Sequence, residues 1–207
     1  MIYDPAEHSF SETHKLMIGS IVPRPIALVS TTSKDGINNL APFSYFNGVC
    51  SKPPTIMFAP ARRGWDGKEK DTLINIRDTK EFSINVVSED IGEKMVICST
   101  DFKNEIDEFA KSGLSPIPSK KITPPIVLES KISLECKLNQ IVQIGEDDAG
   151  SGFIVIGTII LFHIDDHVYD KGRIILDKLE PLGRVAGNGY VRSNNAFDII
   201  RNIKPDD

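Results

Sequence analysis

The stretch IALVSTTSKDG, residues 26–36, decides the fold class, because it sets a compact strand directly before a tight turn. Ile, Val and Thr favour extended backbone, and Asp-Gly is a strong hairpin signal. Five further runs also read as strands, at residues 55–60, 82–87, 132–145, 153–165 and 173–177. The run at 132–145 alternates apolar and polar residues, which predicts one buried face. The run at 153–165 is nearly all apolar, which predicts a central strand that is buried on both faces.

Helices are fewer and shorter than strands in this sequence. Apolar spacing predicts a helix over residues 101–113, with Asp101 as its N-cap and Gly113 at its end. A shorter helix is predicted from Asp71-Thr72, and weaker helical patterns cover residues 11–18 and 88–99. The chain is therefore mainly β with a few helices. We expect one domain over residues 1–207, built as a closed or partly closed antiparallel barrel.

Composition excludes several classes of protein. The 24 basic and 29 acidic residues give a net charge of −5, without the basic footprint that nucleic acid requires. No secretory leader and no apolar run of about 20 residues is visible, so we expect a cytoplasmic protein that does not enter the membrane. Three widely spaced cysteines argue against a disulfide framework or a zinc site. His163 and His167 lie four apart outside any predicted helix, so no metal site is expected.

The sequence lacks the usual catalytic motifs. It contains no GxGxxG, no phosphate-binding GxxxxGK[ST], no GxSxG and no HExxH. Because no nucleophile and base stand near each other, no catalytic side chain is assigned. If the protein is an enzyme, a bound cofactor is expected to carry the chemistry.

Three segments have the residue types of one binding site. Residues 26–32 end in three hydroxyl side chains, Ser30, Thr31 and Thr32. The stretch NNLAPFSYFNGVCSKPP, residues 38–54, is interrupted by prolines, so some of its backbone N–H groups are expected to be free for a flat polar ligand. Residues 61–75, ARRGWDGKEKDTLIN, bring four basic residues to the predicted helix start, where the helix dipole favours an anion.

A ligand with a flat polar ring and a phosphate fits this combination. Flavin mononucleotide (FMN) and pyridoxal phosphate both answer that description, and these residues alone do not choose between them. A purely structural interpretation also exists for each residue: Ser30 and Thr31 are good strand formers, Asn39 caps turns, and Asp71 is a natural N-cap. Trp65 is either a lid over a ring or, more often for a lone tryptophan, a packing residue.

At these residues a family resemblance appears. The segments PRPIALVST, NNLAPFSYF, KDTLIN, EFSINVV, VIGTIILFHIDD and LGRVAGNGY occur in an order and spacing that resembles the flavin reductase-like family of FMN-binding split-barrel proteins. The resemblance spans nearly the whole chain. It implies a six-stranded Greek-key split barrel, a homodimer, and one FMN per subunit near the subunit interface.

The resemblance also implies site residues. The strand end at Ser30 and the segment 39–42 are expected to line the ring and ribityl chain, and Lys70, with Arg62 or Arg63 nearby, is expected to receive the phosphate. Arg184 and Tyr190 resemble the C-terminal closing segment of the family, which is expected to approach the flavin. The full predicted cofactor-binding set is Ser30, Thr31, Asn39, Leu40, Ala41, Pro42, Ser44, Arg62, Lys70, Asp71, Thr72 and Tyr190.

The expected activity is flavin reduction by NADH or NADPH, with electrons passed on to a small-molecule or protein acceptor. Three alternatives remain open from the sequence. The first is an FMN-binding electron carrier that does not oxidise nicotinamides. The second is a barrel without cofactor that serves as an interaction module, and the third is a pyridoxamine-phosphate-type oxidase, for which a second basic cluster is not visible.

Overall fold

The fold is dominated by antiparallel strands. A computed structural model describes residues 1–200 of the chain. Helices in that part of the chain are α1 Phe10–Ser20, α2 Asp71–Thr79, α3 Gly92–Ile97, α4 Glu108–Ser112 and α5 Leu176–Leu179, with 3-10 turns at Pro5–Glu7, Glu89–Ile91 and Asp166–Val168. The strands are β1 Arg24–Pro25, β2 Ala27–Thr32, β3 Asn38–Phe43, β4 Phe46–Ser51, β5 Pro54–Phe58, β6 Glu81–Val86, β7 Pro116–Ile117, β8 Ile126–Val127, β9 Ile132–Ile144, β10 Gly152–Ile164, β11 Tyr169–Asp170, β12 Arg173–Ile174, β13 Leu182–Arg184 and β14 Tyr190–Arg192.

The main sheet has seven antiparallel strands in the order β3-β2-β6-β9-β10-β5-β4, rather than the six expected. Five of the six predicted strands belong to this sheet, and the proline-interrupted stretch adds two more, β3 and β4. The predicted hairpin at Asp35-Gly36 joins β2 to β3, with Gly36 at a φ of 84°. Positive φ at that turn position is a conformation that glycine adopts without steric cost.

The sheet curls on itself around a single inner core. Phe43 on the edge strand β3 lies with its ring centroid 5.1 Å from that of Phe58 on β5, five places along the sheet. In a flat sheet those strands would stand roughly 24 Å apart, at about 4.8 Å per strand. Apolar side chains from β2, β3, β5, β6, β9 and β10 meet in this core, and Leu73 and Ile76 of α2 pack into it.

A second apolar cluster covers the outer face of the sheet near β2 and β3. It includes Leu28 and Leu40 from the strands, Met95 from α3 and Phe109 from α4. Strand β2 is therefore buried along its whole length, between the inner core and these helices. This arrangement fixes the position of β3, which is the edge strand beside α2 and α4.

Strands β9 and β10 form a long hairpin that differs from expectation. Residues of β10 alternate between buried and partly exposed, so only one face is buried. Its outward face is mostly apolar, and Phe162 near the end of the strand is 51% exposed. Gly157 on β10 faces Phe82, where an added Cβ would lie 2.5 Å from the ring, so close packing explains a glycine inside this strand.

Two predicted elements are shorter in the structure. The helix predicted over 101–113 is reduced to α4, which is capped by Asp107 through a hydrogen bond from the Phe109 N–H at 2.8 Å. The strand predicted at 173–177 is reduced to β12, and α5 follows it. Across residues 1–200, no helix combines the length and apolarity needed to cross a membrane.

Candidate functional site

A cleft opens beside the edge strand β3. Its other walls are the N-terminus of α2 and the segment 98–102, which precedes α4. The lining residues are Asn39, Ala41, Pro42, Phe43, Arg63, Lys70, Asp71, Thr72, Cys98, Ser99, Thr100, Asp101, Phe102 and Glu108. The predicted strand segment and the predicted helix start therefore meet at one place, although about 30 residues separate them in the sequence.

The N-terminus of α2 forms one wall of this cleft, through Lys70, Asp71 and Thr72. The N-cap residue is Lys70 rather than Asp71, and it makes no side-chain capping hydrogen bond. The first amides bonded to the Lys70 carbonyl are those of Leu73 and Ile74, at 2.9 and 3.3 Å. The N–H groups of Asp71 and Thr72 thus precede the hydrogen-bonded turn, as helix geometry requires. A helix start of this kind, without a capping side chain, attracts anions.

A buried polar network ties this helix to the two strands behind it. Asn39 Nδ2 donates to Thr72 Oγ1 at 2.9 Å, and Asn75 Nδ2 donates to Thr31 Oγ1 at 3.0 Å. All four residues are buried. The network sets the distance between β3 and α2, so these side chains determine the width of the cleft as well as part of its lining.

The backbone of β3 is more fully hydrogen-bonded than its prolines suggested. Leu40 donates its N–H to Glu108 Oε2 at 2.9 Å, and Pro42 has no N–H. Asn39 and Ala41 stand opposite Thr31 and Val29 in the ladder with β2. Because alternate amides of a strand point to the same side, those of Asn39 and Ala41 face β2. The expected free amides along residues 39–42 are therefore not present.

Two cations at the mouth of the cleft, Lys70 and Arg63, are each paired with a carboxylate. Lys70 Nζ lies 2.8 Å from Asp101 Oδ1, and the Trp65 indole N–H donates to Asp101 Oδ2 at 3.2 Å. Arg63 stands 5.5 Å from the centre of the Trp65 ring and 3.3 Å from Asp66 Oδ1. Burial raises the pKa of Asp101, but the hydrogen bond and charge of Lys70 outweigh it, and the net pKa is lowered.

Two further carboxyl groups in the cleft have raised rather than lowered pKa values. Burial raises the pKa of Asp71 against the opposing charges of Arg63 and Lys70. Burial also raises the pKa of Glu108, although the bond from the Leu40 amide opposes the shift. The Cys98 thiol is likewise buried, which raises its pKa to about 11 and keeps it protonated at neutral pH.

Half of the predicted cofactor-binding residues line the cleft: Asn39, Ala41, Pro42, Lys70, Asp71 and Thr72. Ser30 and Thr31 lie behind them on β2, fully buried, and the Ser30 hydroxyl makes no hydrogen bond to any part of the chain between residues 1 and 200. Leu40 turns its side chain into the outer apolar cluster. These three residues support the wall of the cleft and do not form its surface.

The remaining three predicted residues lie elsewhere. Arg62 points away, with its guanidinium 5.1 Å from the centre of the Phe153 ring and bonded to Asp147. Ser44 accepts a hydrogen bond from the buried Arg24 at 3.3 Å. Tyr190 belongs to β14, in a separate three-stranded sheet. In the described chain these three residues do not line the cleft.

The third wall of the cleft, formed by residues 98–102 and Glu108, was not predicted from the sequence. Glu108 and residues 98–102 other than Thr100 fall within helical patterns of the sequence, and nothing local marks them as cleft residues. Arg63 was identifiable only as one of two adjacent arginines. Which of the two faces the cleft depends on the turn at residues 63–68, which is closed by a bond from the Arg63 N–H to the Lys68 carbonyl at 2.9 Å.

Comparison with known proteins places similar sequences and structures over nearly the whole chain. A family model described as "Flavin reductase like domain" matches residues 18–182. The solved structure of nitrilotriacetate monooxygenase component B from Bacillus cereus is similar at a TM-score of 0.91 and 33% identity, over 96% of this chain and 98% of that one. The 2-nitrobenzoate 2-nitroreductase NbaA of Pseudomonas fluorescens is similar at a TM-score of 0.87 and 31% identity, over 100% and 99% of the two chains.

A more distant structure bears on the fold alone. A protein of Shewanella frigidimarina NCIMB 400 that has a split barrel domain superposes with a TM-score of 0.81 at 22% identity, over 97% of this chain and 99% of that one. The mainly β, split-barrel architecture predicted from the sequence is thereby confirmed.

Proposed function

The chain belongs to the flavin reductase-like domain family, and on that premise we propose that it binds FMN in the cleft beside β3 and reduces it with NADH or NADPH. One observation supports the proposal most strongly. At one end of the cleft, a helix start without a capping side chain lies beside Lys70 and Arg63, and the floor of the cleft is the apolar edge of a strand. A phosphate with a flat ring matches this combination of charge and shape.

The residues of the cleft fit such a ligand from one end to the other. Lys70 and the first amides of α2 would hold the phosphate, with Arg63 as the second cation and Thr72 as a hydroxyl beside them. At the other end Ala41, Pro42 and Phe43 offer a surface against which a ring packs. Because the amides of β3 are already bonded, polar contacts to the ring would come from the hydroxyls of the facing segment, such as Thr100.

When bound, FMN supplies the two-electron chemistry that no side chain of the cleft offers. The protein positions the cofactor and adjusts the electrostatic environment around it. Lys70 and Arg63 would neutralise its phosphate. Glu108 holds β3 in place through the Leu40 amide, and burial raises its pKa, so this carboxyl group favours a proton at the cleft wall more than an exposed glutamate does.

The visible spectrum of the purified protein, followed by anaerobic addition of NADH and of NADPH, tests this function. A flavin absorption band that bleaches with at least one nicotinamide supports the proposal. A band that stays unchanged with both would identify an FMN-binding electron carrier instead. A colourless protein that takes up no added FMN would favour an interaction module without cofactor.

We also propose that two copies of the chain pair through the outward face of β10. The apolar stripe there includes Ile154, Ile156, Ile160 and the exposed Phe162 and Ile164, which is more apolar surface than a solvated strand usually carries. Light scattering on the wild type and on Phe162→Glu tests this, with a dimer expected for the first and a larger monomer fraction for the second.

The three cysteines are free thiols, which fits the cytoplasm as the compartment.

A further inference from the structure

The carboxylate of Asp101 lies where an incoming anion would bind. It is held by Lys70 Nζ at 2.8 Å and by the Trp65 indole N–H at 3.2 Å, and the charge of Arg63 contributes to the lowering of its pKa. These contacts leave Asp101 only about a third exposed, at 35%. An ammonium group, an N–H donor and a guanidinium nearby are also the groups that bind a phosphate oxygen.

Asp101 is not fixed to the cleft by the fold around it. It precedes α4 by several residues, and the helix takes its cap from Asp107 instead. Its two side-chain hydrogen bonds are those to Lys70 and Trp65, among the contacts of the described chain. Asp101 is therefore held at the cleft mouth by the cation site itself, and a stronger anion at that site would release it.

A phosphate at the helix start and the Asp101 carboxylate cannot both make a full-strength contact with the Lys70 ammonium group. Lys70 has three N–H donors, so both anions are able to touch it, but two anions beside one cation repel each other. Binding of a phosphorylated ligand thus requires that the Lys70–Asp101 contact weaken or break. A ligand of the same shape without the phosphate leaves the contact intact.

We propose that Asp101 is a specificity-determining residue of the cleft, acting as an internal competitor for the phosphate of a flavin. This inference rests on the proposed function. It states that Asp101 reduces the preference of the site for FMN over riboflavin, so that bound FMN exchanges more readily than the cation pair alone would allow. The device is a charge competition at Lys70, with Trp65 as its second contact.

The expected size of the effect follows from the exposure of the pair. Lys70 and Asp101 are 31% and 35% exposed, so their contact lies at the weak end for ion pairs. Removing the competing charge in Asp101→Asn is expected to lower the dissociation constant for FMN roughly three- to fivefold. Riboflavin is expected to change by less than about twofold, because it brings no charge to Lys70.

Flavin titrations of four proteins test this: the wild type, Asp101→Asn, Lys70→Gln and the double variant. Direct competition at Lys70 predicts that Asp101→Asn strengthens FMN binding in the wild-type background and has little effect once Lys70 is absent. General repulsion between Asp101 and the phosphate would instead leave the effect intact in the Lys70→Gln background. Asp147→Asn is the matched control, because it removes the same charge outside the cleft.

A second measurement does not depend on flavin. Trp65 is the only tryptophan of the chain, and its indole N–H bonds to Asp101, so its fluorescence reports the contact. Inorganic phosphate added to the wild type is expected to shift the Trp65 emission towards that of Asp101→Asn, and to leave the emission of Asp101→Asn nearly unchanged.

The outcomes separate the two proposals. If the wild type binds FMN but its preference over riboflavin is the same in Asp101→Asn, the role of Asp101 is refuted and the proposed function stands. The role of Asp101 is also refuted if the effect persists without Lys70. If the wild type binds neither flavin, the proposed function fails and the inference fails with it, whatever Trp65 reports.

Discussion

Replacing Lys70 with glutamine should weaken FMN binding while leaving riboflavin binding nearly unchanged. A hydrogen bond to a charged partner contributes about 1.5–3 kcal/mol. Part of this gain is already offset in the wild type, because Lys70 must give up its contact with Asp101 at 2.8 Å, a pair of a kind that contributes up to about 1 kcal/mol. The net loss is therefore about 1–2 kcal/mol, which corresponds to a roughly 5- to 30-fold higher dissociation constant.

Quenching of flavin fluorescence on titration with protein measures both constants directly. Lys68→Gln is the matched control, since it makes the same charge change in the same loop on an exposed residue outside the cleft. If Lys70→Gln binds FMN as tightly as the wild type, or if Lys68→Gln loses as much affinity, the phosphate does not lie at the helix start and the proposed binding site is refuted.

Three other substitutions test the walls of the cleft and the barrel behind it. Glu108→Gln should raise the free energy of unfolding at neutral pH by on the order of 1 kcal/mol, because a neutral amide still accepts the Leu40 N–H without a buried charge. Burial raises the pKa of Glu108, so the advantage should vanish as the pH falls through that pKa in urea-unfolding curves, and an advantage that persists at low pH would contradict it. Glu135→Gln should cost about 1.5–3 kcal/mol, since this buried carboxylate accepts two backbone amides at 2.7 Å and pairs with a histidine. Burial raises the pKa of Glu135 but its partners outweigh it, so its contribution is present above the ordinary carboxyl pKa and is lost as the pH falls through the lowered one; a difference between wild type and variant that does not shrink at low pH would argue otherwise. Thr72→Val leaves the buried Asn39 amide without its acceptor and should lower the free energy of unfolding by about 1–2 kcal/mol in urea titrations, whereas no change would show that water replaces the hydroxyl.

The strands of the barrel were predictable because their signals are local. The hairpin at Asp35-Gly36 and the alternating run of β9 each carry their pattern within about a dozen residues. The two errors on the sheet have one cause, which is that burial depends on neighbours. β10 is apolar on both faces, and the chain itself covers only one of them. The stretch 38–54 forms two strands because each of them pairs on one side only, an environment that accepts proline.

The site was predictable up to the point where it depends on tertiary contacts. The helix start and the Asn39–Pro42 segment carry recognisable residue types, and both line the cleft. Glu108 is an example of a contact that residue types do not predict. Its carboxylate accepts the Leu40 N–H although the two residues are 68 positions apart in sequence, so no local pattern reveals that this amide is already bonded. Which of Arg62 and Arg63 faces the cleft likewise depends on the turn at residues 63–68, whose conformation the sequence does not specify.

The most direct test of the central claim is a crystal structure of the protein with FMN. The account predicts the phosphate within about 3.2 Å of Lys70 Nζ and of the first amides of α2, with the ring against Ala41 to Phe43 and Asp101 displaced from Lys70. A flavin seated elsewhere, such as the cavity between α1 and Tyr45, with the Lys70–Asp101 contact still closed, would contradict it.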